Sequence, residues 1–100
     1  MVIIFVRINV RPANRQELSQ TFLSIVEHVR KESGCLHADF YQDVENENDF
    51  LVVEEWANQK DLDDHLQSDI FTVIVGAGSL MSRPPEIVRH TVSRSSELEA

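Results

Sequence analysis

The sequence predicts an α+β domain in which helices cover one face of a four-stranded antiparallel sheet. Four segments alternate apolar and polar residues as strands do, and segments with helical periodicity separate the first strand from the second and the third from the fourth. This order, β-α-β-β-α(α)-β, is the split β-α-β arrangement called ferredoxin-like. One hundred residues can form one domain with its own core, which we place at residues 1–93, followed by a polar tail at residues 94–100.

The first strand and the first helix have clear boundaries in the sequence. Residues 2–10 alternate so that one face of the strand is wholly apolar, and Pro12 ends the strand because it has no N–H to donate. Asn14 and Glu17 have the spacing of a reciprocal helix N-cap. The apolar residues of the helix are Leu18, Phe22, Ile25, Val26 and Val29. Gly34 is expected in the left-handed conformation that ends a helix.

The second and third strands are predicted over residues 36–44 and 50–57, joined by a polar hairpin turn at residues 45–49. One face of the second strand carries Leu36, Ala38, Phe40, Gln42 and Val44. One face of the third strand carries Phe50, Val52, Glu54 and Trp56. The third strand has apolar residues on both faces, which indicates that both faces are covered.

The remaining elements are a short helix, an ambiguous segment and a last strand. Asn58 repeats the N-cap pattern with Asp61, and Leu62 and Leu66 point inward from the helix that follows. Ser68 is a second candidate cap. Residues 72–75 favour a strand, and each glycine in residues 76–78 costs a helix about 1 kcal/mol relative to Ala. Local propensity therefore leaves residues 69–81 open, and the last strand follows at residues 87–93.

Composition excludes several classes of partner. The chain has 9 Lys and Arg against 17 Asp and Glu, a net charge of −8, so it lacks the basic surface that nucleic acid or an anionic membrane requires. The apolar run at residues 2–6 is too short for a signal sequence or a membrane span. Cys35 has no partner for a disulfide within the chain. We therefore expect a cytoplasmic protein with no nucleic-acid or membrane partner.

The second face of the sheet is expected to need a protein partner. Ile3 and Phe5 lie on this face, which the helices do not cover. A second copy of the same sheet is the simplest cover, so we expect a two-fold homodimer.

Three residues carry the candidate chemistry, each with an alternative structural role. Trp56 either fills the core or provides a flat wall for an aromatic ligand. Glu54, on the same face, either forms an ion pair with an arginine on a neighbouring strand or accepts a proton from a substrate. His65 either pairs with Asp61 at the surface or acts as a general base.

No cofactor or metal is expected. The other histidines, His28, His37 and His90, lack the spacing of a metal site, and Cys35 is expected to pack as a small apolar residue. Residues 76–78 are not a dinucleotide-binding loop, because no third glycine follows at the required spacing. Any redox chemistry would therefore come from the substrate itself.

The order of several short motifs resembles the antibiotic biosynthesis monooxygenase domain family, over residues 2–92. The motifs are Gly34-Cys35-Leu36, Gln42-Asp43, Glu45-Asn46, the segment from Phe50 to Trp56, the segment from Leu62 to Ser68, and Phe71. The resemblance implies the dimeric α+β barrel superfamily, in which two ferredoxin-like units pair, and a helix at residues 69–81.

The resemblance also implies an activity. Several members of the family oxidise anthrones or quinols with molecular oxygen and no bound cofactor, because a deprotonated electron-rich phenol can reduce oxygen directly. The protein must then supply a base, an apolar cavity and an aromatic wall. By resemblance, Trp56 lines the pocket and His65 is the base, with Glu54 orienting it or serving in its place.

Some positions depart from the family pattern. In the members that form polyketide quinones, an Asn, a Tyr and an Arg stand where this chain has Val52, Leu62 and Val75. We expect these three residues and Phe71 to contact substrate. Haem-degrading relatives have a His iron ligand at the position of Val75, so haem degradation is disfavoured. The alternatives are an isomerase or lyase acting on a small phosphorylated or keto metabolite, of the autoinducer-processing type, and a non-catalytic dimeric module that binds a small molecule.

Overall fold

The computed structural model describes residues 1–99 and contains one four-stranded antiparallel sheet with three α-helices on one of its faces. The strands are β1 (Val2–Asn9), β2 (Cys35–Gln42), β3 (Asp49–Trp56) and β4 (Glu86–Thr91). The helices are α1 (Arg15–Val29), α2 (Gln59–Leu66) and α3 (Asp69–Gly76), with 3-10 turns at Pro12–Asn14 and Ala77–Leu80. The predicted ferredoxin-like fold is confirmed. Ala100, the last residue of the predicted tail, lies outside the described residues.

The strands lie in the order β2-β3-β1-β4, so β1 and β3 form the centre of the sheet. The register aligns the inward rows of these two strands, with Val2 opposite Trp56 and Ile4 opposite Glu54. Inward residues of both strands are buried and the alternate residues are mostly half-buried, as the period-two pattern predicted. The inward row of β3 therefore faces the helices from the middle of the sheet.

The predicted alternation, with Leu36, Ala38, Phe40, Gln42 and Val44 on one face, does not hold at either end of β2. A β-bulge lies between Cys35 and His37, where β2 advances two residues while β3 advances one. Leu36 is the extra residue and is 50% exposed. Val44 lies beyond the end of β2 in the hairpin turn and is fully exposed. Simple alternation misplaced these residues because it assumes an unbroken register.

Two of the three predicted helix caps are confirmed. Asn58 Oδ1 accepts a hydrogen bond from the Asp61 N–H at 2.9 Å, and Ser68 Oγ accepts one from the Phe71 N–H at 3.2 Å. The predicted side-chain cap at Asn14 is wrong, since its side chain makes no capping hydrogen bond. Asn14 closes the 3-10 turn before α1, and its ψ of 4° is not the extended conformation typical of an N-cap.

Residues 69–80 form α3 and the 3-10 turn after it, in agreement with the helix implied by the family resemblance. Ile74 and Ala77 are buried in the core, whereas Val73 and Val75 are more than half exposed. The burial of one side of the segment outweighs its local strand propensity. No helix within residues 1–99 is long and apolar enough to cross a membrane.

The core lies between the inner face of the sheet and the helices. Phe22 of α1, Phe40 of β2 and Phe50 of β3 stack in a row, with centroid distances of 5.7 and 5.1 Å. On the outer face of the sheet, Ile3 and Phe5 are only half-buried. The site described next therefore lies on the helix side, at the end of β3 opposite this aromatic row.

Candidate active site

The end of β3 places a carboxylate and an indole next to each other inside the core. Glu54 and Trp56 are two residues apart, so both point inward, and they are 2% and 0% exposed. The indole Nε1–H donates a hydrogen bond to Glu54 Oε1 at 3.0 Å. The neighbouring inward residues of β1 are Val2 and Ile4. An acidic group is thus enclosed by apolar side chains and needs polar partners to remain charged.

His65 is brought to the same place by α2. This helix begins directly after β3, and its first turn is fixed by the Asn58 cap. The imidazole of His65 is 2% exposed and stacks on the indole of Trp56 with a centroid distance of 4.7 Å. The ring of Phe71 meets the imidazole edge-on at 5.9 Å.

Two carboxylates bracket the His65 ring. Its Nδ1 lies 2.9 Å from Glu32 Oε2, and its Nε2 lies 3.2 Å from Glu54 Oε1. Glu32 belongs to the turn between α1 and β2, and its side chain is 24% exposed. We name Glu32, His65 and Glu54 the Glu–His–Glu cluster.

The charges of the cluster favour the protonated imidazole. Burial lowers the pKa of His65, but the hydrogen bonds and negative charges of Glu54 and Glu32 outweigh burial and raise that pKa above its ordinary value. In the imidazolium both ring N–H groups can donate, one to each carboxylate. The raised pKa therefore favours an imidazolium whose two ring N–H groups face the Glu32 and Glu54 side chains.

The structure decides between the alternative partners of these residues. The ionic partner of Glu54 is His65 rather than an arginine. The ionic partners of His65 are Glu32 and Glu54 rather than Asp61, whose backbone N–H instead receives the Asn58 cap. Sequence analysis missed Glu32, because no spacing rule connects two residues that are 33 positions apart.

The other predicted site residues fall into two groups. Val52 and Leu62 are buried in the core, and Phe71 is half-buried against His65. Val75 is 59% exposed on the surface of α3 and lies outside the cluster. The structure thus brings together Glu54, Trp56, His65 and Phe71.

The Cys35 thiol is poorly suited to act as a nucleophile in this site. Burial, followed by the charges of Glu54 and Glu32, raises the pKa of the Cys35 thiol to about 11, which disfavours the nucleophilic thiolate. Within residues 1–99 no group of three or more His, Cys, Asp or Glu side chains is arranged to hold a metal ion.

Two surface cavities lie away from the cluster. A cavity of about 350 Å³ on the outer face of the sheet is lined by residues that include Arg7, Tyr41, Asp49, Arg83 and Glu86. A groove of about 220 Å³ lies between α1 and α3 and is lined by Ser24, Ile25, His28, Ile70 and Val73. Neither cavity is lined by Trp56 or His65.

Comparisons with known sequences point to one protein family. The antibiotic biosynthesis monooxygenase family model matches residues 1–77. An uncharacterized protein of Synechocystis sp. is 34% identical over 101 residues, which cover 97% of this chain and 67% of that protein. YcnE of Bacillus subtilis, provisionally named a monooxygenase, is 31% identical over 94 residues, which cover 93% of this chain and 99% of YcnE.

Solved structures share the fold. A crystal structure from Deinococcus radiodurans, provisionally described as an antibiotic biosynthesis monooxygenase, has a TM-score of 0.91 and 22% identity over the whole of both chains. A conserved protein from Methanosarcina mazei has a TM-score of 0.83 and 29% identity over 89% of each chain. The chain belongs to the antibiotic biosynthesis monooxygenase family.

Proposed function

We propose that the protein is a monooxygenase that oxidises a quinol, an anthrone or a similar small electron-rich aromatic without a bound cofactor. The observation that carries the proposal is the Glu–His–Glu cluster, two of whose members are almost completely buried in an otherwise apolar core. Apolar side chains of similar size would give equal or greater stability at such a place, so stability alone does not account for the cluster. Buried groups with a shifted pKa are typical of functional sites.

The charges suggest a division of roles. Because the raised pKa of His65 favours the imidazolium at rest, Glu54 is the better candidate for the base that takes the phenolic proton. The His65 cation then stabilises the negative charge that develops beside it. Trp56 provides the aromatic wall. The electron-rich phenolate reduces molecular oxygen, the second substrate. For an anthrone, one oxygen atom converts the ring CH2 to C=O and the other leaves with its two hydrogens as water, so that no external reductant is needed.

Access to the cluster is part of the proposal. Trp56, His65 and Leu62 are all buried, so the aromatic substrate enters when α2 or α3 moves away from β3. Val52 and Leu62 then line the opened space, with Phe71 at its edge. Val75 contacts substrate only if α3 turns its exposed side inward.

The proposed assembly is a homodimer in the cytoplasm. Ile3 and Phe5 on the outer face of the sheet are half-buried and uncovered, and a second copy of the sheet would cover them. The single Cys35, which cannot form a disulfide within this chain, favours a reducing compartment. Light scattering on a sizing column tests the assembly, and a stable monomer contradicts it.

A non-catalytic dimeric module that binds a small molecule is the second candidate. The burial of Trp56 and His65 favours it, since neither side chain offers a ligand an open surface. In that case the cavity of about 350 Å³ on the outer face of the sheet is the place for a ligand.

Oxygen uptake with a panel of anthrones and quinols tests the main proposal. We expect H65A and E54Q to lose at least about tenfold in turnover, as the removal of an acid–base group does. H28A and E27Q are matched controls, because His28 and Glu27 are exposed on α1 and lie outside the cluster. Both controls should keep the wild-type rate.

Each other outcome has a clear meaning. Turnover that is unchanged in H65A and E54Q would show that the site assignment is wrong. Turnover of a keto or phosphorylated metabolite without oxygen uptake would favour the isomerase or lyase. Ligands that raise the melting temperature without any turnover would favour the binding module.

A further inference from the structure

We propose that Glu32 is a positioning residue of this site, which fixes the orientation of the His65 ring and selects Nε2 as the nitrogen that exchanges protons. Its effect on turnover rests on the proposed function, whereas its effect on the His65 ring does not. The proposal follows from the different surroundings of the two carboxylates.

Glu32 has the better geometry for holding a ring proton. Its Oε2 lies 2.9 Å from His65 Nδ1, whereas Glu54 Oε1 lies 3.2 Å from Nε2 and already accepts the indole N–H of Trp56. When the ring carries a single proton, Glu32 therefore holds that proton on Nδ1. A carboxylate that holds the Nδ1 proton of a catalytic histidine serves the same purpose in catalytic triads.

The backbone of Glu32 is fixed in place. Its N–H donates to the carbonyl of Val29 at 3.0 Å, and its carbonyl accepts from the N–H of Cys35 at 3.2 Å. The turn thus holds the carboxylate at the end of α1 before β2 begins. At 24% exposure Glu32 retains part of its hydration, in contrast to Glu54 at 2%.

The groups that face His65 come from three parts of the fold. Glu32 faces it from the turn after α1, Glu54 and Trp56 from β3, and Phe71 from α3. The two carboxylates are the charged groups among them. Loss of one carboxylate leaves the other as the sole ionic partner of the ring.

The proton step can be written in full. The imidazolium gives its Nε2 proton to the oxygen anion that forms when the substrate reduces molecular oxygen, so that the Nε2–H bond breaks and an O–H bond forms. The neutral ring keeps its Nδ1 proton in the hydrogen bond to Glu32. Glu54 then passes the proton that it took from the phenol to Nε2, which restores both the imidazolium and the Glu54 carboxylate.

Nitrogen NMR of the histidine rings in the full chain tests the proposal. We expect E32Q to move the midpoint of the His65 titration to lower pH by about one pH unit, because one of two adjacent negative charges is lost. Above the midpoint, the wild-type ring should carry its proton on Nδ1, and in E32Q the proton should move to Nε2. E27Q is the matched control, since Glu27 is exposed on α1, and should match the wild type.

E32D provides a second variant. Its side chain keeps the negative charge but is one methylene group shorter, so the carboxylate lies farther from the His65 ring. E32D should give a smaller change in the same direction, and it tests the proposal if E32Q does not fold. A titration and a tautomer that are the same in wild type, E32Q and E32D would overturn the proposal.

The NMR result and turnover separate this proposal from the proposed function. One outcome is that the titration midpoint and the tautomer of His65 change in E32Q as expected while the wild type oxidises no aromatic substrate. In that case Glu32 positions His65, and only the proposed function fails. If a substrate is found, E32Q should also shift the pH profile of its turnover, and E32D should restore part of the wild-type profile. A profile that does not move in E32Q would contradict the positioning role.

Discussion

The indole of Trp56 and the imidazole of His65 stack with a centroid distance of 4.7 Å and an angle of 27° between their planes. A protonated imidazole over an indole face gains a cation–π attraction, and the same indole donates its N–H to Glu54. Trp56 therefore contacts both the cation and one anion of the cluster, and it links β3 to α2.

Replacement of Trp56 tests this link. W56F keeps an aromatic ring but removes the N–H donor and part of the stacked surface, so the free energy of unfolding should fall by about 1–3 kcal/mol. Urea denaturation measures the change. Y41F is the control, because Tyr41 is 53% exposed and its change should have little effect. A W56F variant as stable as the wild type would show that the stack and the hydrogen bond contribute nothing.

The stability of the protein should depend on pH through His65. Folding raises the pKa of His65 above 6.5, so its stabilising contribution is complete below pH 6.5 and is lost as the pH rises through the folded-state pKa. Urea denaturation at several pH values should show the free energy of unfolding falling above pH 6.5. H65Q should flatten this part of the curve and H28A should retain it, and an equal slope in H65Q would contradict the assignment.

Glu54 and His65 should be energetically coupled. Either E54L or H65L leaves one buried ionic group without this partner, and each single change should cost about 3–5 kcal/mol of unfolding free energy. The double variant E54L/H65L removes both groups and should be much more stable than the sum of the single effects predicts. Additive effects in denaturation experiments would show that the two residues do not act as a pair.

Among the three glycines, replacement of Gly34 should lower the free energy of unfolding most. Its φ is +81°, and a Cβ at this position would overlap the side chain of Asp61 at the start of α2. G34A should therefore lower the free energy of unfolding by about 1–2 kcal/mol for the backbone alone, with further loss if Asp61 must move. G76A is the control, since a Cβ there meets no atom within 4 Å, and Ala favours the helix end. Thermal denaturation that ranks G34A equal to G76A would contradict this account.

Much of the site could be predicted from local patterns. Alternation along β3 places Glu54 and Trp56 on one inward face, and the Asn58 cap sets the start of the helix that carries His65. These features depend on neighbouring residues and on the 2.0 and 3.6 residue periods. They predicted which elements and faces meet, and hence the ferredoxin-like fold.

Other features depend on contacts that no local pattern encodes. Glu32 meets His65 because the turn at Gly34 and the start of α2 approach each other closely, over a separation of 33 residues. Leu36 points outward because one extra residue enters the β2 ladder. Asn14 fails as a cap because a 3-10 turn closes on it. Each outcome was decided by three-dimensional packing rather than by propensity.

The position of β1 between β3 and β4 has a consequence for synthesis. β1 leaves the ribosome before the other strands, yet its two sheet partners are the third and fourth strands to emerge. Its apolar residues Val2 to Val6 therefore remain without strand partners while α1, β2 and β3 are translated. During this interval the nascent chain exposes an aggregation-prone strand, so chaperone protection at an early stage should raise the yield of folded protein.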